Sequence, residues 1–257
     1  MTDKPLISID INADLGEHDG DGYAADEAIL DVVSSASIAC GAHAGSLEVM
    51  RRTVVAASER GVSIGAHPGY PDREGFGRRD LQLGPVEMAA SIAAQIELLS
   101  RCCDEAGARL RYVKPHGALY NRAARDAELA KLLAGCVAQV SESLVVLTLP
   151  GSELEREATA RGLAVAREAF IDRAYQSDGA LVPRDQQGAV IEDPGIAAAR
   201  AVEIVLDGRV RAMDGSVVAI SAQSLCMHGD SRNALATVRL ARSRLEESGI
   251  RILPFAR

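Results

Sequence analysis

Short runs of aliphatic and β-branched residues alternate along the chain with longer segments rich in Ala, Leu, Glu and Arg, the pattern of strands interleaved with helices in a parallel sheet. These runs predict strands at residues 6–11, 35–39, 62–66, 110–113, 144–147, 164–169 and 217–220, with 251–253 a candidate last strand. Helices are predicted near residues 26–33, 47–60, 85–106, 127–140, 153–161, 195–206 and 233–248. A spacing of roughly 37 residues per unit suits a strand, a loop, a helix and a return turn. Gly61, Gly107, Gly162 and Gly249 each stand just past a predicted helix, where a left-handed C-cap is expected.

No Ser/Gly/Pro linker, repeat or low-complexity segment divides the chain. The longest irregular stretch, residues 171–194, carries Gly179, Pro183 and Gly188 and reads as a loop or small hairpin. The expectation is one α/β domain over residues 1–257, a closed or nearly closed β/α barrel of seven or eight strands. An open doubly wound sheet is the alternative, because strand order is not written in the pattern.

Composition narrows the function. With 47% hydrophobic and 25% charged residues the chain buries a sizeable core. Aromatics are only 3%, without Trp, which argues against base-stacking platforms and aromatic cages. The net charge of -8 lacks the basic footprint of a phosphate-backbone binder, so a small-molecule substrate is expected and nucleic acid is not. Cys40, Cys102, Cys103, Cys136 and Cys226 are odd in number and have no Cys-x-x-Cys spacing, which predicts neither a disulfide framework nor a zinc ribbon and suits a reducing compartment. No basic leader and no long apolar run is present, so a cytoplasmic protein without a membrane span is expected.

The chemistry collects after the strands. His18, His43, His67, His116 and His228 all fall within a few residues of a predicted strand end, the edge where parallel α/β folds gather function. Three of the loops are alike: Cys40-Gly-Ala-His43-Ala-Gly45, Gly65-Ala-His67-Pro-Gly-Tyr70-Pro-Asp72 and Lys114-Pro-His116-Gly-Ala-Leu-Tyr120-Asn121. Glycine and proline beside each imidazole predict stiff, tightly turned loops. The first strand runs into Asn12-Ala-Asp14-Leu-Gly-Glu17; Asp14 suits a general base, a histidine orienter or a cation ligand, and equally an N-cap or Asx turn. Arg78 and Arg79 suit a carboxylate or phosphate, or a solvated surface. Lys114, locked by Pro115, is expected to point into the barrel mouth, and Asp172-Arg173-x-Tyr175 and His228-Gly-Asp230 follow the last strands. There is no P-loop, no dinucleotide-binding glycine motif and no nucleophile elbow.

Read in order, these motifs closely resemble the LamB/YcsF family, the family of the 5-oxoprolinase A component, from Asn12 to Glu17 through Gly75-Phe-Gly-Arg-Arg79, Asp178-Gly179 and Leu181-Val-Pro-Arg184 to Asp230. The acidic stretch after Glu17 departs from the family pattern, so no role for His18 carries over. The resemblance implies a seven-stranded TIM-like barrel, similar to glycoside hydrolase and deacetylase barrels. It also implies ATP-dependent opening of 5-oxo-L-proline to L-glutamate, with Mg-ATP consumed and 5-oxoprolinase subunits B and C as partners; a homo-oligomer is compatible. On this reading Asp14 with His43 or His67 activates or positions water, and Lys114 and His116 stabilise negative charge. Arg78, Arg79 and Arg173 take the substrate carboxylate or phosphate, with Asn12, Glu17, Tyr70, Tyr120, Asn121, Asp172 and His228 as further binding residues. Two other classes fit the same residues: a metal-dependent amide hydrolase such as a de-N-acetylase, with its ion at Asp14, His43 and His67, and a non-catalytic component that presents 5-oxoproline to its partners.

Overall fold

The structure, a computed structural model, describes residues 7–18, 22–228 and 233–257. In chain order its elements are β1 (Ser8–Leu15), α1 (Gly22–Leu30), β2 (Ser35–Ala39), α2 (Leu47–Glu59), β3 (Ser63–His67), α3 (Pro85–Glu105), β4 (Leu110–Val113), α4 (Gly117–Ala123) and α5 (Ala127–Val140). There follow β5 (Val145–Thr148), α6 (Glu153–Ala160), β6 (Val165–Phe170), α7 (Pro194–Asp207), β7 (Arg209–Arg211), β8 (Val217–Ala219), β9 (Ser224–His228), α8 (Ala234–Glu247) and β10 (Arg251–Ile252). Strands β1 to β6 and β9 pair in parallel in that order, and β9 pairs back onto β1. The result is a closed seven-stranded barrel with its helices outside, and the open-sheet alternative is set aside. β10 pairs with the start of β1 through Ser8↔Arg251 and Ile9↔Ile252.

Three expectations are corrected. Residues 217–220 are not a barrel strand: Val217–Ala219 is one arm of a short antiparallel hairpin with β7, half exposed and outside the barrel. Paired valines gave that segment the stronger β-branched pattern, whereas the true seventh strand, Ser-Leu-Cys-Met-His, has no β-branched residue. The first strand does not end at residue 11 but continues to Leu15, so Asn12 and Asp14 lie within it. The acidic and amide side chains at alternate positions 10, 12 and 14 are the inward face of a strand buried on both sides, where Ile9, Ile11, Ala13 and Leu15 face the helices. The segment after β4 is a helix, α4, rather than a loop. Residues 171–194 form the expected irregular hairpin, tied by bridges Arg173↔Val190 and Tyr175↔Leu181.

The barrel interior is closed below the site. Asp10 accepts hydrogen bonds from Ser34 Oγ and Ser35 Oγ, both at 2.6 Å, and also from Ser224 Oγ, lacing β1 to β2 and β9. Tyr112 fills the centre beside Leu147 and Ala166, with the C-terminal Phe255 and Ala256 packed beneath it. That ring leaves no space opposite: a Cβ at Gly65 would lie 2.2 Å from Tyr112 Cε2. Tyr112 OH is 3.1 Å from Ser37 Oγ. Among the described residues no helix is long and apolar enough to cross a membrane.

Candidate functional site

At the C-terminal ends of the strands lies a cavity of about 910 Å³ whose wall includes Asp14, His67, Lys114, His116, Tyr120, Asn121, Phe170, Arg173 and His228. Its floor is built on Lys114. The backbone N–H of Lys114 donates to Ala66 O at 2.9 Å, which continues the β3–β4 ladder one residue past the strand and turns the side chain inward. Its ammonium is buried and lies 2.8 Å from Asp14 Oδ1, 2.9 Å from Glu168 Oε1, 3.2 Å from Asn12 Oδ1 and 3.0 Å from Cys226 Sγ. Glu168 also receives Asn12 Nδ2 at 2.8 Å and Tyr120 OH at 3.0 Å.

Burial alone would lower the Lys114 ammonium, but the Asp14 and Glu168 carboxylates outweigh it and hold it well above the usual lysine range. Burial likewise would raise Asp14, yet His67 and Lys114 hold it well below the usual carboxylate range. The floor is therefore a fixed charge pair at neutral pH. Cys226 is no nucleophile: burial pushes its thiol well above the ordinary value, and the nearby Lys114 does not reverse this.

Beside the floor, three imidazoles and a carboxylate converge. The Nδ1 atom of His67 is 2.8 Å from Lys114 O, and Nε2 of His116 is 2.8 Å from Phe76 O; carbonyls only accept, so both of these nitrogens carry hydrogen. The remaining nitrogens, His67 Nε2 and His116 Nδ1, face each other at 2.9 Å, with Asp14 Oδ2 3.4 Å from the former. His43 stacks on His116, with centroids 3.8 Å apart and planes 3° from parallel. Glu17 Oε1 is 3.6 Å from His43 Nε2 and 3.7 Å from His116 Nδ1. Burial, reinforced by His67, lowers His43 to about 3, and burial with the neighbouring imidazoles takes His116 well below the usual histidine range, so both rings are neutral. Close backbone makes the pocket for the stack: a Cβ at Gly69 would lie 2.7 Å from His43 Nδ1, and one at Gly77 2.8 Å from His43 Cβ and 2.9 Å from His116 Cδ2.

Opposite, the hairpin after β6 brings Arg173 and Arg184 to the cavity, and the loop before α3 brings Arg78, whose guanidinium lies 4.8 Å from the Phe76 ring centre. Arg173 is buried and donates to Val182 O at 2.6 Å and Ala189 O at 3.3 Å, which fixes the hairpin while leaving its charge at the wall. Asp172 accepts from His228 N at 3.1 Å and lies 2.9 Å from His228 Nδ1. Burial would raise that carboxyl, but His228 pulls it below its ordinary value.

The structure does not bring every expected residue to the cavity. Arg79 turns away into ion pairs with Asp72 and with Glu74, the latter at 3.0 Å, and lowers Asp72 to about 2. Tyr70 is buried and donates to Asp80 at 3.1 Å behind the wall. Asn12, Glu17, His43 and Asp172 do not line the cavity; each contacts a residue that does, Lys114, His116, His116 and His228 respectively. Of the expected metal set, His43 and His67 converge with Glu17 and His116, while Asp14 lies 2.8 Å from Lys114 Nζ and 3.4 Å from His67 Nε2. His18 is 6.3 Å from the Phe76 ring, and Gly229 and Asp230 fall outside the described residues. Sequence reasoning missed Glu168, whose signal was a lone acid inside a strand buried on both faces.

A closed parallel barrel with buried acid, ammonium and imidazole groups gathered at its strand C-termini defines a protein of the α/β-barrel class. The LamB/YcsF family matches residues 9–257, and the chain belongs to that family. It is 47% identical to a protein of Symbiobacterium thermophilum named as the A component of 5-oxoprolinase, over 96% of this chain and 95% of the relative. The crystal structure of a lactam utilization protein from Thermus thermophilus superposes with TM-score 0.89 at 42% identity, covering 97% of this chain and all of that one (100%). A family 4 carbohydrate esterase from Streptomyces lividans, solved with acetate, shares the fold alone at 12% identity and TM-score 0.50, over 95% of this chain and 91% of that one.

Proposed function

We propose that this chain is the lactam-handling component of an ATP-dependent 5-oxoprolinase, acting with subunits B and C to open 5-oxo-L-proline to L-glutamate. The observation that carries the reading is the cavity floor, a buried ammonium between two carboxylates facing a wall of arginines, in a chain closely similar to proteins named as the A component of 5-oxoprolinase. The five-membered lactam is a poor electrophile, so activation precedes water attack. Transfer of the γ-phosphoryl group of ATP to the amide oxygen releases ADP. Water then adds to the activated carbon, the C–N bond breaks with a proton passing to nitrogen, and a second water hydrolyses the acyl phosphate to glutamate and phosphate.

The residues are suited to parts of this sequence. Lys114 meets charge growing on the amide or phosphoryl oxygen, and its contacts to Asn12 at 3.2 Å and to the Cys226 sulfur are the weak ones such an oxygen replaces. Asp14, 3.4 Å from His67 Nε2, positions water together with the imidazole group. Arg78, Arg173 and Arg184 suit the substrate carboxylate or the phosphoryl group. The cavity, about 910 Å³, has room beyond a single lactam for a phosphoryl donor. The test is glutamate formation from 5-oxo-L-proline by the reconstituted three-component complex. ATP-dependent turnover that is lost when this chain is omitted supports the proposal; undiminished turnover without it rejects the proposal.

A further inference from the structure

We propose that Glu17, His43, His67 and His116 form a binding site for one divalent first-row transition-metal ion, of the kind that takes imidazole and carboxylate ligands. The proposal does not depend on the substrate assigned above.

Four observations meet at this point. One ligand atom from each residue lies within 4.8 Å of all the others. A tetrahedral ion with bonds of about 2.1 Å needs ligand atoms about 3.4 Å apart; the His67–His116, Glu17–His43 and Glu17–His116 pairs stand at 2.9, 3.6 and 3.7 Å. His67 and His116 each donate their outer N–H to a backbone carbonyl at 2.8 Å, the arrangement by which metal-bound imidazoles are oriented. With neither inner nitrogen protonated, the two present lone pairs to each other at 2.9 Å, a repulsive contact that a cation, whether a metal ion or a proton on His67, relieves.

The fourth observation is His43. It is buried, and neither ring nitrogen has a hydrogen-bond partner among the described residues. A buried imidazole nitrogen without a hydrogen-bond partner costs about 1–3 kcal/mol, and an ion at Nε2, which the ring reaches by tilting out of its parallel stack on His116, removes one such cost. Glu17 supplies the negative charge, 3.6 Å from His43 Nε2. The donor set suits zinc, iron(II), cobalt(II) or manganese(II) rather than calcium, which takes oxygen ligands. His67 and His116 also line the cavity, so an ion has a path to the site.

The test uses the full chain, stripped with a chelator, dialysed and titrated with Co²⁺ while visible d–d absorption is followed, then with Zn²⁺ by calorimetry. The expected result is one equivalent bound with a tetrahedral-type spectrum and a rise in Tm on loading. His43→Ala and Glu17→Gln should each weaken binding by more than about 100-fold, since outer partners of metal ligands alone are worth about 10- to 100-fold. Circular dichroism and the unfolding transition of each variant establish that it is folded; should His43→Ala fail that check, Glu17→Gln carries the comparison. Absence of saturable binding, or binding left unchanged by Glu17→Gln, overturns the proposal; the first outcome would mean that a proton shared between His67 and His116 relieves the lone-pair contact instead.

Discussion

Replacing Lys114 with methionine keeps most of the aliphatic stem but removes the charge that balances Asp14 and Glu168. The ammonium lies 2.8 Å from one carboxylate and 2.9 Å from the other, and all three groups are buried. Removing one partner of such a pair costs about 3–5 kcal/mol because the remaining charge stays desolvated. For a chain of this size that lowers Tm on the order of 10 °C. The pH dependence is the sharper signature. In the wild type Asp14 is held below its unfolded value, so its favourable contribution is fully present at pH 5 and at pH 7 and is lost only under more acidic conditions. In Lys114→Met the buried Asp14 carboxylate loses its ammonium partner, and the cost of keeping it ionised without that partner is absent under strongly acidic conditions and grows as pH rises. Urea unfolding of both proteins should therefore show a difference of about 3–5 kcal/mol at pH 7 that shrinks by about 1–3 kcal/mol at pH 5, at about 1.4 kcal/mol per pH unit for one proton. Adding Asp14→Asn to the Lys114→Met background should return part of the loss. A difference below about 1 kcal/mol, or one that does not change with pH, would refute the charge balance described here.

Other consequences can be checked separately. Asp10, pushed up to about 6 chiefly by burial, should cost stability as pH rises from 4 to 7; the wild-type advantage over Asp10→Asn should fall across that window by about 3 kcal/mol in urea unfolding. Gly65→Ala places a methyl group into the Tyr112 ring and should destabilise by about 1–3 kcal/mol, read as a lower midpoint in the same titration. Arg78→Ala should weaken 5-oxo-L-proline binding by about 10- to 100-fold in calorimetry, whereas Arg79→Ala, turned away toward Asp72 and Glu74, should change it by less than about threefold while lowering Tm.

Much of this was legible in the sequence because parallel strands and their following loops announce themselves. The aliphatic runs located six of the seven barrel strands, and the glycine stops were right: Gly61, Gly107, Gly162 and Gly249 all adopt positive φ. The seventh strand was misplaced because its inward residues, Ser224, Cys226 and His228, are polar or small, while the hairpin arm at Val217 carries the valines. The same feature hid part of the site. Inside a barrel the functional side chains occupy alternate positions of strands, so Asp14 looked like the start of a loop and Glu168 like an interruption of an aliphatic run. The histidines were visible one by one. That His43, His67 and His116 converge with Glu17 depends on loop geometry across three strands, and that Arg79 pairs with Asp72 depends on a turn held by Gly75 N donating to Asp72 Oδ1 at 2.9 Å.

The proposed role of the floor formed by Asp14, Lys114 and Glu168 is to handle the lactam. It is tested most directly by glutamate release from 5-oxo-L-proline and ATP in the reconstituted complex carrying Asp14→Asn, which keeps the shape of the side chain and leaves Lys114 paired with Glu168. The expected result is a folded, assembled complex with turnover reduced by more than about 100-fold, the scale of general acid–base and electrostatic contributions. Wild-type turnover in a folded Asp14→Asn complex would contradict it.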